Sequence, residues 1–226
     1  VTKKEITTGG TAQIGAGSYS QLQGGLSLSK RNENGGIFTH FSTISSDGYR
    51  YNTDFKNHTA YIKASVAENK KLPVQVLAFF SGRKFGANGF YASPAAVNQY
   101  EETQSSLIGI STNLKSDRLI FKPRLYWRRH QDMYEFVRQN PAIYRNLHLT
   151  NKVGAEFNAS YASKSGVTGF GVDFAKVFLS SNNLGNRERE MITVFLEHRF
   201  MLADNKLDIT PGVAGTYFSD FDFHAF

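Results

Sequence analysis

The sequence predicts an all-β fold, a transmembrane antiparallel β-barrel of about eleven strands. Three observations carry that expectation. Apolar and polar residues alternate with period two through many long segments. The connections between those segments are alternately short and long. Aromatic residues are abundant, 19 Phe and 11 Tyr among 226 residues, yet no stretch approaches the roughly 18 apolar residues that a membrane-spanning helix needs.

Along the chain, strands centre on Ile14, Leu26, Phe41, Ile62, Val76 and Ile108. The next is the clearest. From Leu119 to His130, one face carries Leu119, Phe121, Pro123, Leu125 and Trp127; the other carries Lys122, Arg124, Arg128 and His130, with Tyr126 among them. Val153, Ala155, Phe157, Ala159 and Tyr161 then oppose Lys152, Glu156, Asn158 and Ser160. A strand around Val172 follows. Ile192, Val194, Leu196 and Phe200 oppose Thr193, Glu197 and Arg199, and Leu207, Ile209, Pro211 and Val213 oppose Asp208, Thr210 and Thr216. Pro123 lies mid-strand and removes a ladder donor, so a bulge or a gap in pairing is expected there, with a milder effect at Pro211. One turn of helix is expected over Met133 to Val137.

Tight turns are read at Asn32-Glu33-Asn34-Gly35, Glu68-Asn69-Lys70, Lys115-Ser116-Asp117, Ser163-Lys164-Ser165 and Ala203-Asp204-Asn205. Between them lie polar, aromatic-rich segments from Ser45 to Lys56, Gly82 to Glu101, Gln131 to Thr150 and Ser181 to Arg187, with a short first connection near Ser18 and a last one starting near Phe218. Short turns on one side and long loops on the other are the signature of an outer-membrane barrel. A soluble sandwich alternates too, with a solvated outer face. Its strands are usually shorter than the roughly 10–14 residues read here.

Composition removes other classes. Without cysteine there is no disulfide framework and no thiolate metal site. The net charge of +7 is spread along the chain, which suits a polar lumen or anionic lipid headgroups better than nucleic acid. Six histidines, His40, His58, His130, His148, His198 and His224, lack ligand spacing, and no catalytic triad or nucleophile elbow can be read. The Gly9-Gly10 pair and Gly15-x-Gly17 are turn and strand glycines. No enzymatic activity and no nucleic-acid partner are expected.

Four motifs carry a resemblance. Val1-Thr2-Lys3-Lys4 resembles the end of the segment that closes the plug of TonB-dependent outer-membrane receptors, and Gly17-Ser18-Tyr19 their first barrel hairpin. Ser46-Asp47-Gly48-Tyr49-Arg50-Tyr51-Asn52-Thr53-Asp54-Phe55 and Lys84-Phe85-Gly86-Ala87-Asn88-Gly89-Phe90-Tyr91 resemble elements of their next two extracellular loops, most closely in receptors of the Bacteroidetes type, cobalamin-receptor-like branch. The resemblance implies a 22-stranded barrel in the Gram-negative outer membrane. Residues 1–226 would be a partial barrel domain, about its first half, lacking the plug and the C-terminal half. Such a fragment alone is not expected to transport, because edge strands near Ile14 and Val213 would leave backbone groups unpaired in lipid.

The implied function is active import of a scarce nutrient, with cobalamin or a related corrinoid first. Alternatives are a receptor for haem, siderophore or glycan, and a structural or adhesive barrel without cargo. Implied partners are membrane lipid, the remaining strands and plug, the TonB energy complex acting through that plug, a surface lipoprotein and the small-molecule cargo. Candidate cargo residues in the long loops are Asp47, Tyr49, Arg50, Tyr51, Asp54, Phe90, Tyr91 and Tyr134, since aromatic faces bury large flat ligands at low entropy cost. Asp47 and Asp54 are the candidates for calcium, although their spacing departs from a dedicated calcium loop. No other cofactor is expected.

Strand parity places successive connections on opposite sides. Single cysteines at Asn88 and Ser116 in whole cells are expected to react oppositely with an impermeant thiol reagent, with Asn88→Cys labelled and Ser116→Cys protected. Equal labelling would refute the sidedness.

Overall fold

A computed structural model describes residues 6–68, 70–203 and 206–220, and the backbone of 224–225. Val1–Lys4, Asn69, Asp204, Asn205 and the side chain of His224 lie outside the described residues, as do Phe221–Phe223 and Phe226.

The strands are β1 (Gly9–Gly17), β2 (Gln21–Asn32), β3 (Gly35–Ser46), β4 (Phe55–Val66), β5 (Val74–Gly86), β6 (Tyr100–Thr112), β7 (Leu114–Lys115), β8 (Leu119–Glu135), β9 (Arg145–Ser163), β10 (Gly166–Ser181), β11 (Gly185–Leu202), β12 (Leu207–Ile209), β13 (Gly212–Phe218) and β14 (His224–Ala225). They form one antiparallel sheet in which each long strand pairs with its neighbour in sequence. No helix occurs among the described residues.

Fourteen segments reduce to eleven long strands because two of them are continuations and a third, β14, is only two residues long. β6 pairs with β8 down to Ser111↔Arg124, and β7 resumes in the same register at Leu114↔Phe121. The interruption lies opposite Lys122 and Pro123, while Pro123 stays paired with Phe157 on its other side. Proline has no N–H to give, so the ladder breaks on one side only. The hydroxyl of Thr112 and the amide oxygen of Asn113 are buried there without a hydrogen-bond partner. Thr210 and Pro211 separate β12 from β13 in the same way, and both pair with β11 in one register. Here the Pro211 carbonyl still accepts from the His198 N–H at 3.0 Å. β14, two residues long, adds to β13.

Because directly opposed residues share a face, the ladder assigns every side chain to one of two faces. Ile14, Leu26, Phe41, Ile62, Val76, Ile108, Leu125, Val153, Val172, Val194 and Val213 all lie on one of them. Phe121, Phe157 and Leu196 share it, whereas Arg124, Arg128, Glu156 and Glu197 lie opposite, as the alternation predicts. The apolar face is exposed: Ile14 is 92% accessible, Leu125 55%, Leu196 52% and Val213 60%. That is the pattern of a wall whose solvent is hydrocarbon.

The belt has a measurable height. On β8 it runs over five outward positions from Leu119 to Trp127. Nine residues span about 30 Å along the strand, or about 23 Å when tilted by about 40°, close to the apolar band of an outer-membrane barrel. Above it the outward positions turn polar, at Thr43, His58, Gln104, Arg129, Asn151, Lys176 and Glu190. The opposite face is concave. Tyr61, Lys63, Gln75, Arg124, Arg128 and Lys152 line a basin of about 890 Å³ on it. Tyr126 lies flat across Gly154, where a Cβ would come within 2.5 Å of the ring. The Lys152 ammonium sits 5.7 Å from the centre of that ring.

Several expected boundaries shift. β8 to β11 are 17, 19, 16 and 18 residues long, beyond the expected length. They continue past the belt as a paired wall, so the loops shrink to residues 87–99, 136–144 and 182–184. Met133 to Glu135 belong to β8, and no helical turn forms, because β9 supplies backbone partners up to Glu135↔Arg145. The connection after β4 spans 67–73, longer than a tight turn. Two hairpins are as tight as read, Asn32↔Gly35 and Ser163↔Gly166. Gly166, at φ +141°, has room for no side chain: a Cβ would meet the Arg199 carbonyl oxygen at 1.9 Å.

Replacing Val194 with Arg puts a charge in the belt, and replacing Thr193 puts the same charge on the concave face. Val194→Arg is expected to cost about 2–4 kcal/mol in folding into lipid, with Thr193→Arg near wild type, as read from urea titrations in vesicles. Equal costs would refute the face assignment.

Candidate functional site

All the longer loops emerge at one end of the sheet, and three of them interlock. Residues 47–54, 87–99 and 136–144 follow β3, β5 and β8, which are not adjacent to one another as a set, so only tertiary folding brings the loops together. Their centre is Gln99, whose side chain is fully buried. The Gln99 amide donates to the Tyr134 hydroxyl at 2.5 Å and its Oε1 accepts from the Tyr91 N–H at 3.3 Å. The Gln99 carbonyl accepts from the Ala87 N–H at 2.8 Å and from Asn52 Nδ2 at 2.6 Å. Asn52 also donates to the Val97 carbonyl at 2.9 Å. It takes φ +52°, a left-handed conformation that Asn tolerates.

Arg138 closes the assembly. Its guanidinium donates to both carboxylate oxygens of Asp54, at 2.7 and 3.0 Å, and to Asn52 Oδ1 at 3.2 Å. It also lies over the Tyr100 ring, 4.5 Å from the centroid. The hydrogen bond that Arg138 donates to Asp54 raises the Arg138 pKa further above its ordinary value, while burial raises that of the Tyr100 phenol. The pair is over a third exposed, so solvent screening holds its worth to about 1 kcal/mol despite the bidentate geometry.

The candidate residues fall into separate groups. Tyr51 and Asp54 are parts of this cap: the Tyr51 hydroxyl donates to Asn98 Oδ1 at 2.6 Å and accepts from Gln139 at 2.9 Å. Arg50 donates to the Asn88 carbonyl at 3.2 Å and lies 5.4 Å from the Tyr49 ring. Tyr49 itself is exposed and meets Tyr19 edge to face. The Asp47 N–H donates to the Tyr19 carbonyl. Among the described residues no three His, Cys, Asp or Glu side chains gather as a metal site.

Phe90, Tyr91 and Tyr134 form the second group, stacked edge to face at 4.7 and 5.5 Å, with Tyr144 beyond at 6.4 Å. Phe90 and Tyr91 roof a cavity of about 480 Å³ on the concave side, over Phe79, Arg83, Phe85, Glu101 and His130. The Tyr91 hydroxyl donates to Glu101 in a short hydrogen bond, and burial, reinforced by Glu101, pushes its pKa far above the ordinary phenol value. The His130 Nδ1 lies 2.8 Å from the Ser105 hydroxyl. His40, His148 and His198 make the same contact with a directly opposed Ser or Thr. The sequence reading missed Asn52, Gln99, Arg138, Arg83 and His130 as site residues. The parity of β5 and β8 could have placed Arg83 and His130; nothing local marks Gln99.

No protein-family model and no curated sequence matches the chain. Solved structures do. The chain is similar to the copper transporter OprC, with a TM-score of 0.75 at 11% identity, over 95% of this chain and 38% of that one. It is also similar to the ferric-catecholate import receptor Fiu from E. coli K12, with a TM-score of 0.77 at 8% identity, over 96% of this chain and 45% of that one. The chain thus spans less than half the length of either. At such identity the likeness concerns the fold.

Gln99→Leu keeps the volume but leaves the Tyr134 hydroxyl and the Tyr91 N–H unpaired, a loss of about 1–3 kcal/mol. Arg138→Ala removes a more exposed contact. Amide exchange in residues 87–99 is expected to accelerate in both, more in Gln99→Leu; unchanged exchange in Gln99→Leu would show that the loops hold together otherwise.

Proposed function

We propose that this chain forms part of the barrel of a TonB-dependent receptor in the Gram-negative outer membrane, and that the receptor imports a scarce nutrient rather than catalysing a reaction. One observation carries the reading. The wall presents an apolar belt outward, and above that belt the loops fold into a cap over an aromatic, charged cavity that opens on the concave side. A structural or adhesive barrel has no need of an inward cavity roofed by interlocked loops. The similarity in fold to a copper transporter and a ferric-catecholate receptor supports transport.

In this reading membrane lipid covers the belt, and further strands and a plug complete the lumen. A TonB energy complex acts through the plug, and a surface lipoprotein is a further partner. Cobalamin or a related corrinoid is the first cargo, on the strength of the two loop elements at residues 46–55 and 84–91. The cluster of Phe90, Tyr91 and Tyr134 favours haem or a ferric siderophore as the second choice, since such rings suit any flat conjugated ligand.

The test is uptake by whole cells expressing the full-length receptor, offered labelled cobalamin, haem and a ferric catecholate. Saturable uptake of cobalamin, abolished by a protonophore, is the expected result. Uptake of one of the other two would replace the cargo, and no saturable uptake of any cargo would overturn the import reading.

A further inference from the structure

We propose that Arg129 anchors a phosphorylated glycolipid of the outer leaflet. The phosphate sits on the guanidinium, the sugar hydroxyls on the neutral polar side chains around it, and the acyl chains on the belt below. The proposal rests on the reading of this chain as part of an outer-membrane barrel with its long loops outside. It adds a site on the lipid-facing side of the wall, away from the lumen.

Parity fixes the place. Arg129 lies outward on β8, between Ser106 of β6 and Asn151 of β9, while Arg128 and His130 beside it belong to the concave face. One outward position below stands Trp127, the single tryptophan of the chain and the top of the apolar belt. That step is about 7 Å along the strand, or about 5 Å in height at a tilt of about 40°. Tryptophan marks the membrane interface, so the guanidinium just above it stands at the depth of lipid headgroups. Ile108, Trp127 and Val153 form one apolar row beneath, across β6, β8 and β9, on which acyl chains lie.

The charges around it point to a partner outside the protein. Four carboxylates face outward on the described strands, and each is engaged. Glu102 holds Lys84 at 3.0 Å, Glu135 holds Arg145 at 3.8 Å, and Glu188 and Glu190 share Lys176 at 3.0 and 3.1 Å. None of them lies beside Arg129. Its outward neighbours are neutral: Ser106 and Gln104 on β6, Gln131 on β8, Asn151 and Leu149 on β9. The Arg129 guanidinium is exposed and makes no hydrogen bond or ion pair with the described residues, and the same holds for the side-chain groups of Ser106, Gln131 and Asn151. At the interface an arginine costs little, and its planar fork takes a phosphate through two parallel hydrogen bonds. Two amides and a hydroxyl left free beside that fork suit the hydroxyls of a sugar. Lys56, the other lysine or arginine of this outward rim without a carboxylate, stands between Ser45 and Lys84 and has no such amides next to it.

Three lipids separate the components: lipid A bearing both phosphates (sugar and phosphate), its dephosphorylated form (sugar alone) and phosphatidylglycerol (phosphate without sugar). Retention is read by native mass spectrometry of the full-length protein in a neutral detergent. Wild type is expected to hold phosphorylated lipid A about tenfold more tightly than either of the others. Arg129→Gln should carry one lipid A fewer per receptor at equal loading. Arg128→Gln, the neighbouring arginine of the concave face, should keep the wild-type number. Unchanged heat-modifiability on gels would show that each variant has assembled.

The proposal is overturned if wild type holds dephosphorylated lipid A or phosphatidylglycerol as firmly as lipid A, if Arg129→Gln keeps the wild-type number, or if Arg128→Gln loses the lipid instead. Thiol labelling in whole cells keeps this apart from the reading beneath it. Labelled Asn88→Cys without the lipid A difference sinks the glycolipid site alone. Protected Asn88→Cys with labelled Ser116→Cys turns this rim to the inner leaflet, and sinks the orientation and the site together.

Discussion

Everything in this molecule depends on an unbroken parity of backbone pairing. From β1 to β13 each strand hydrogen-bonds its neighbour in a single register, and a slip of one residue anywhere would turn the apolar positions of one strand into the lumen and its charges into lipid. Hydrocarbon offers no alternative partner for a backbone N–H or C=O, so the ladder has to be nearly complete through the belt. The two prolines show how strictly parity is kept. Pro123 and Pro211 each remove pairing on one side over two residues, yet the register resumes unchanged beyond both.

With parity kept, the two faces become independent. The outward face needs only apolar bulk, and it is supplied by Leu, Ile, Val and Phe with little regard to shape. The concave face is free to carry charge and to shape space. There, side chains lie along the wall where a glycine opposes them, as Tyr126 does over Gly154 and Phe195 over Gly171. Space is kept open by that arrangement, and the cations gather around it.

Above the belt the physics changes. Water can satisfy backbone groups there, so a closed ladder is no longer obligatory, and loops leave the sheet. They acquire structure from one another. A buried Gln99, a left-handed Asn52 and the Arg138–Asp54 pair tie three loops into one cap, and the cap sets where Phe90 and Tyr91 hang over the cavity. A mouth built in this way is stiffer than three separate loops, and a stiff mouth loses less entropy when it takes a ligand.

The amino-acid sequence by itself determined the all-β class, the face of each strand and the interruption at Pro123. These follow from period-two alternation and from the missing N–H of proline, both of which are local along the chain. Tertiary structure alone decided what the loops do. Asp54 looked free for cargo or calcium and is instead held by Arg138, 84 residues away in sequence. Tyr51 is bonded to Asn98 and Gln139, 47 and 88 residues away. Strand ends were misjudged at Met133–Glu135 for a related reason: whether a polar, aromatic segment stays in the sheet depends on whether its neighbour extends alongside it, as β9 does. Contacts between segments far apart in the chain leave no periodic trace in either one, so they exist only once the sheet has brought the loops to a common rim.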